Sequence, residues 1–407
     1  MNEVAPPGMA RQDIEDVTGR LLSHHRERST DLAANQWREP VDNYRGQGVF
    51  EQERDLVFGA VPLPIALSCQ LAEPGRYLAL EVAGTPVLLT RDRDGKVRAM
   101  VNRCRHRGAE LVAGGDGSAR RLTCPYHSWS YDLSGCLLGV YGEHTFGAVD
   151  RSQRSLIRLP AQERCGVVFV GLRPGMAWDL DAWLAEVAPV LEPLRLDQWY
   201  AYGTRTLAGP NWKIAADGYL ESYHFRSLHP TTVFQNNFAN LAAFDRFGPH
   251  QRNVFAHRAI ADAADEAPSE WDPVRLLNPV LWLFPCVGIA GGLGDYALMS
   301  LVLPGRRVTE SITYQTLLWR HRPSEKELPA VRRVSDYFYY LVSKEDYPAC
   351  GRVQEGLDAL AGTDFVFGRN EPGVQHFHRH LDRLRLAGVP PARGRGSRPA
   401  VLMSPGE

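Results

Sequence analysis

Apolar side chains at Ile14, Val17, Leu21 and Leu22, set three, four and one apart in a polar surrounding, predict one amphipathic helix inside an N-terminal arm of residues 1–45. Beyond about residue 59 the pattern shortens to strand-like runs: YLALEV, PVLLTR, a DRDGK turn, then VRAMVN leading into Cys104, with CGVVFVGL (165–172) as a further strand. WDLDAWLAEVAPVLEPLR (178–195) predicts a helix capped by Asp179, and NWKIAADGYLESYHF (211–225) predicts another. YALMSLVLP and ESITYQTLLW predict strands, and residues 326–344 and 371–385 late helices. The tail GVPPARGRGSRPAVLMSPGE, rich in Pro, Gly, Arg and Ser, predicts disorder. The fold class is therefore α+β, divided into residues 1–45, 46–175, 176–388 and 389–407.

Composition narrows the function. A chain of 407 residues with 44% hydrophobic and 23% charged residues can bury about two or three cores. Its formal net charge of −1 supplies no field for nucleic acid or anionic lipid, so neither is expected as a partner. The N-terminus MNEVAPPGMARQDIEDVTGR has acids and no apolar signal core, and VLWLFPCVGIAGGLG (280–294) is interrupted by Pro285 and four glycines. A cytoplasmic protein without a membrane span is the expectation. Seven cysteines scattered over such a chain predict reduced thiols rather than a disulfide framework.

Two of them fall in a pattern. Cys104 and His106 form C-x-H, and after a 17-residue gap Cys124 and His127 form C-x-x-H. A structural zinc site accepts two Cys and two His but usually pairs like with like in each half. A two-iron cluster with Cys on one iron and His on the other needs one of each from both loops. Gly108, Pro125, Tyr126 and Trp129 supply turns and shielding bulk around them. The other five cysteines have no partner at ligand spacing and read as small hydrophobes.

On a continuous helix Asp217, Glu221 and His224 would share one face, with His229 redirected beyond it by Pro230. The alternative is a solvated acidic stripe. Two imidazoles and one carboxylate leave positions open for dioxygen on Fe(II). His376, His378 and His380 alternate by two, which spreads their rings around a helix, so packing through Val374, Phe377 and Leu381 is expected there instead of metal binding.

The pattern C-x-H…C-x-x-H resembles the Rieske [2Fe–2S] domain, over roughly residues 46–170, and N-W-K…E-x-x-H-x4-H resembles the catalytic domain of the Rieske non-haem iron oxygenases. The resemblance implies a mostly β Rieske domain (46–175) and a helix-grip, START-like catalytic domain with an antiparallel sheet (176–388). It implies one [2Fe–2S] cluster on Cys104, His106, Cys124 and His127, and one mononuclear Fe(II) on His224, His229 and a late-helix Asp. Asp346 in SKEDYPACGRVQEGLDAL (343–360) is the first choice for that ligand and Asp358 the reserve. Glu221 takes the family's bridging position between a cluster histidine of one subunit and an iron histidine of the next, which implies a homotrimer. Asp217-Gly218 departs from the Glu-Asn of many relatives; Asp217 is kept as a catalytic candidate.

The implied activity is hydroxylation or oxidative demethylation by dioxygen. Electrons would come from a separate NAD(P)H-dependent reductase, directly or through a ferredoxin, since the chain has no dinucleotide fingerprint; GGLGD (291–295) reads as a turn. Phe234, Asn237, Phe238, Trp282 and Phe284 are pocket candidates, and their aromatic content predicts an apolar, aromatic substrate. An electron carrier or redox sensor with a ligand-binding domain is the alternative function.

Overall fold

A computed structural model describes residues 8–387; the predicted disordered tail (389–407) lies outside them. The first predicted hairpin forms as Arg76–Val82 against Thr85–Arg91, followed by Val97–Val101. The DRDGK turn closes because the Asp92 carboxylate accepts the N–H groups of Asp94 and Lys96 at 3.0 and 2.9 Å, with Gly95 at φ +76°. These strands belong to a five-stranded antiparallel sheet. Two three-stranded sheets accompany it, one containing the fully buried Val167–Val170 and one built from the small hairpin Leu122–Thr123, Ser130–Tyr131 and Leu137–Gly139.

The second half is a seven-stranded antiparallel sheet in the spatial order 200–209, 311–319, 296–304, 287–291, 277–283, 250–257, 237–247. It does not close into a barrel. Tyr296–Pro304 is an interior strand of it and is buried at every position after the first, which is why YALMSLVLP reads as a nearly continuous apolar run rather than an alternating one. GGLGD forms the connection between the strands ending at Gly291 and beginning at Tyr296. The helices Trp212–Asp217 and Pro372–Ala387 contribute Trp212, Ile214, Val374, Phe377 and Leu381 to the same core as this sheet.

The N-terminal helix Arg11–Glu27 buries Ile14, Val17, Leu21 and Leu22 against Leu241, Val254, Ala256, Ile260 and Trp271 at the sheet's far edge. Each such side chain contributes about 1.5–3 kcal/mol. After it, Trp37–Pro40 pairs antiparallel with Asp364–Phe367, bringing together two segments distant in the sequence.

Two predicted helices are shorter than expected. The 178–195 helix begins as predicted, with the Asp179 side chain accepting from Ala182 N–H at 2.9 Å, but stops at Leu184. It resumes only as Ala188–Leu191 and a 3₁₀ turn, because Pro189 and Pro193 donate no backbone hydrogen bond. The 211–225 helix ends at Asp217 and restarts as Phe225–Leu228. In the gap the Glu221 carboxylate accepts the N–H groups of Tyr223 and His224, which an unbroken helix would give to carbonyls one turn back.

Candidate metal centres

The first centre sits on two loops of matching construction. Cys104 N–H donates to Ala109 O at 2.8 Å and Gly108 N–H returns to Cys104 O at 2.9 Å; Cys124 N–H donates to Trp129 O at 2.8 Å and Ser128 N–H returns to Cys124 O at 3.0 Å. Gly108 (φ +76°) and Ser128 (φ +57°) make the left-handed turns these closures need. Both thiols are buried, while the histidines are half-buried at the tip. The Nδ1 atoms of His106 and His127 face each other at 3.2 Å.

Supporting groups fix this donor set. Trp129 stacks on His106 at 5.0 Å between ring centres, and the Tyr131 hydroxyl lies 3.3 Å from Cys104 Sγ while accepting Arg105 N–H at 3.0 Å. Burial pushes the Cys104 thiol up, so a bound cation must hold it as thiolate. Burial and the facing His127 push His106 down, toward the neutral form that ligates a metal. Two inner sulfurs and two outer imidazole Nδ1 atoms fit a cluster with thiolates on one iron and imidazoles on the other.

The second centre forms where the restarted motif segment meets a π-helical turn, Leu341–Asp346. His229 Nε2 lies 3.0 Å and His224 Nε2 3.8 Å from the same Asp346 oxygen, and the three donors fall within 4.8 Å of one another. Each histidine's other nitrogen is held by a carboxylate: His224 Nδ1 by Glu221, and His229 Nδ1 by Glu345 at 2.6 Å. Thr232 Oγ1 donates to the same Glu345 oxygen at 2.8 Å. Both imidazoles thereby present Nε2 to one point, the arrangement of a facial two-histidine, one-carboxylate iron site. Burial opposes protonation of His229, yet Asp346 and Glu345 raise its pKa; that is the electrostatic demand a divalent cation satisfies.

Of the sequence candidates, the structure brings His224, His229, Asp346 and Glu221 together. Asp358 is elsewhere, exposed and paired with Arg45 at 2.9 Å. Asp217 does not share a face with Glu221 and His224, as the unbroken helix would require, but turns back to Tyr44 and His378. Trp282 and Phe284 are fully buried core residues packed on Phe377, a departure from the expected pocket. Phe234 joins the apolar cluster behind the histidines with Phe225 and Phe255, under the Arg258 guanidinium at 4.4 Å. Phe238 packs instead in the N-terminal helix cluster, and Asn237 is buried between Val233 O and Asn278.

Sequence reasoning missed Glu345, Thr232 and Tyr131. Glu345 had a signal in its place directly before Asp346; the other two had none. His376 and His380 lie 4.3 Å apart between ring centres and His378 points elsewhere, while Val374, Phe377 and Leu381 are buried as expected.

The Rieske [2Fe-2S] domain family matches residues 61–145, and the family of the ring hydroxylating alpha subunit (catalytic domain) matches 196–386. The carnitine monooxygenase oxygenase subunit of Acinetobacter baumannii is 30% identical over 263 residues, covering 61% of this chain and 67% of that protein. The chain belongs to the Rieske oxygenase alpha subunits. It therefore carries a Rieske [2Fe–2S] cluster and a mononuclear non-haem iron, and is an oxidoreductase that uses dioxygen.

Among other alpha subunits, the carnitine monooxygenase oxygenase subunit of Escherichia coli (strain K12) is 26% identical over 86% of this chain and 94% of its own length. The chlorobenzene dioxygenase subunit alpha of Cupriavidus sp. (strain PS12) is 30% identical over 44% of this chain and 42% of its own. The fold is shared with a quaternary ammonium Rieske monooxygenase solved with L-carnitine, at TM-score 0.73 and 20% identity over 91% of this chain and 98% of that one. It is likewise shared with naphthalene 1,2-dioxygenase from Rhodococcus sp., at TM-score 0.67 and 18% identity over 92% and 99%. Among the described residues no helix is long and apolar enough to cross a membrane.

Proposed function

We propose that this chain is the terminal oxygenase that hydroxylates a small N-methylated cation at a carbon bonded to nitrogen. The observation that carries the oxygenase reading is the convergence of His224, His229 and Asp346 on one point in a chain that also holds the two-cysteine, two-histidine tip. When bound, the iron supplies dioxygen activation and the cluster supplies electrons one at a time. Glu221 and Glu345 hold the proton-bearing Nδ1 of each iron histidine, and Glu221 is the residue through which electrons would pass from a cluster histidine.

The cationic substrate replaces the apolar aromatic one expected from sequence. Supporting it are the carnitine and glycine betaine monooxygenase subunits among the relatives, at 26% and 30% identity over 86% and 58% of the chain. The site's own chemistry agrees: Asp346, Glu345 and Glu221 crowd anionic groups around it. Hydroxylation next to nitrogen gives a hemiaminal that breaks into an amine and an aldehyde.

A head-to-tail homotrimer is part of the reading. It would set the cluster tip of one subunit against Glu221 of the next, where Glu221 lines a small cleft with Asp31, Asn253 and Asn370. The test is turnover of reconstituted enzyme with a Rieske-oxygenase reductase and NADH or NADPH. L-carnitine, glycine betaine and choline are compared with chlorobenzene and naphthalene, reading dioxygen uptake and products by mass. Amine and aldehyde from a cation support the proposal; turnover of the aromatics alone overturns it in favour of ring hydroxylation.

A further inference from the structure

We propose that His378 is a positioning residue for the Glu221–His224 pair: as an imidazolium clamped between Glu39 and Asp217, it fixes the segment from which that pair hangs. This rests on the reading of Glu221 as the electron bridge. The geometry starts with Asp217, the last residue of the motif helix. One of its oxygens accepts from the Tyr44 hydroxyl at 2.7 Å, and the other lies 2.8 Å from His378 Nε2. The opposite ring nitrogen of His378, Nδ1, lies 3.4 Å from a Glu39 oxygen. Glu39 is itself held by Trp37 Nε1 at 2.8 Å and Asn43 Nδ2 at 2.7 Å.

Carboxylates at both ring nitrogens call for a proton on each, because neutral imidazole has only one to donate. His378 and Glu39 are 1% and 2% exposed, so no water substitutes for either partner. The surrounding groups are Glu39 from the strand Trp37–Pro40, Tyr44, Glu53 with Lys213 as its buried counter-ion, Asp217, and Asp382 with Arg385 on the C-terminal helix itself. Burial works against the charge on His378, but Asp217 and Glu39 outweigh it and raise the pKa to about 9.

The same helix holds the segment at a second point. Gly373 packs so closely on the Leu220 carbonyl that an added Cβ would stand 2.6 Å from it. Leu220 immediately precedes Glu221. Residues 217 and 220 are thus both fixed by one rigid element, and the non-helical stretch that follows is aimed from those two anchors. This gives Asp217, which the chain has where many relatives carry Glu, a positioning role away from the iron.

The experiment compares wild-type holoenzyme with His378→Gln and Asp217→Asn, which keep hydrogen-bonding groups and remove the charge. Cluster absorbance and iron content should match wild type. Reoxidation of the reduced cluster in a single turnover should slow about tenfold, in line with loss of an outer-shell partner. Amide exchange of residues 218–224, followed on metal-free protein, should quicken about tenfold as local opening becomes easier. In wild type the rate should fall as pH rises through about 9, where the clamped imidazolium loses its proton; His378→Gln should lack that limb and Asp217→Asn should move it to lower pH. Unchanged exchange and an unchanged pH limb in both variants would overturn the clamp. Glu221→Gln is the separate control: reoxidation at the wild-type rate in that variant would overturn the bridge reading, while the exchange data still report on the clamp.

Discussion

Replacing Glu345 isolates the contribution of the carboxylate behind His229. The pair is short, at 2.6 Å, and both members are shielded, with side chains 3% and 13% exposed, so screening does little to weaken it. A hydrogen bond to a charged partner in such a place is worth about 1.5–3 kcal/mol. If that energy goes into holding the ring for metal binding, the Fe(II) Kd rises about 10–100-fold, at about 1.4 kcal/mol per tenfold. Glu345→Gln, which keeps an acceptor for Thr232, should sit at the low end. Glu345→Ala removes partners from both His229 Nδ1 and Thr232 Oγ1 and should sit at the high end. The assay is anaerobic Fe(II) titration of cluster-loaded protein against a chromogenic chelator, with cluster absorbance as the internal control. Equal Fe(II) affinity in wild type and both variants would refute the argument that Glu345 orients His229.

The remaining predictions use other parts of the structure. Asp346→Ala should remove the mononuclear iron while sparing the cluster, whereas Asp358→Ala, which breaks only an exposed pair with Arg45, should leave both metals at wild-type content by elemental analysis. Lys213→Met removes the close counter-ion of Glu53, whose carboxylate keeps only the Trp212 Nε1–H at 2.9 Å and Arg385 at 3.8 Å, in a pair where both side chains are 1% exposed; it should cost about 3–5 kcal/mol, read as a fall in Tm, and Lys213→Met with Glu53→Leu should recover part of that loss. Burial, with help from Glu221 and Asp217, raises the Glu371 carboxyl to about 7. Folding therefore favours its protonated form, and stability is lost as pH rises from the ordinary carboxyl range to about 7. Glu371→Gln should raise stability by roughly 1–3 kcal/mol at pH 8 and leave it unchanged below pH 4, as measured by denaturant titration at both values.

Much of the fold was legible because its signals are local. Alternation and turn chemistry identify the strands around Cys104, and cysteine–histidine spacing points to the cluster loops, where short closures within each loop set the geometry. The iron site was legible at His224 and His229 through the motif, and at Asp346 only through resemblance. What the sequence obscured depends on long-range competition. Propensity favours a continuous helix through Asp217 and Glu221, but the Glu221 side chain captures the backbone N–H groups of Tyr223 and His224 and ends it. The aromatic run containing Trp282 and Phe284 looks alike whether it lines a pocket or fills a core; only the arrival of Phe377 from the C-terminal helix decides for the core. Glu345 gains its partner from a residue 116 positions away.

The pairing of Trp37–Pro40 with Asp364–Phe367 has a consequence for biosynthesis. Domains emerge and fold from the N-terminus at about 5–20 residues per second, so residues 61–170 can form their sheets and accept a cluster while the rest is still being made. The iron half cannot follow that order. Its first strand waits for residue 364, Asp217 waits for His378, and His229 waits for Asp346. Maturation is thereby ordered in time: cluster insertion can occur during translation, whereas Fe(II) loading waits until residues 346–378 have emerged.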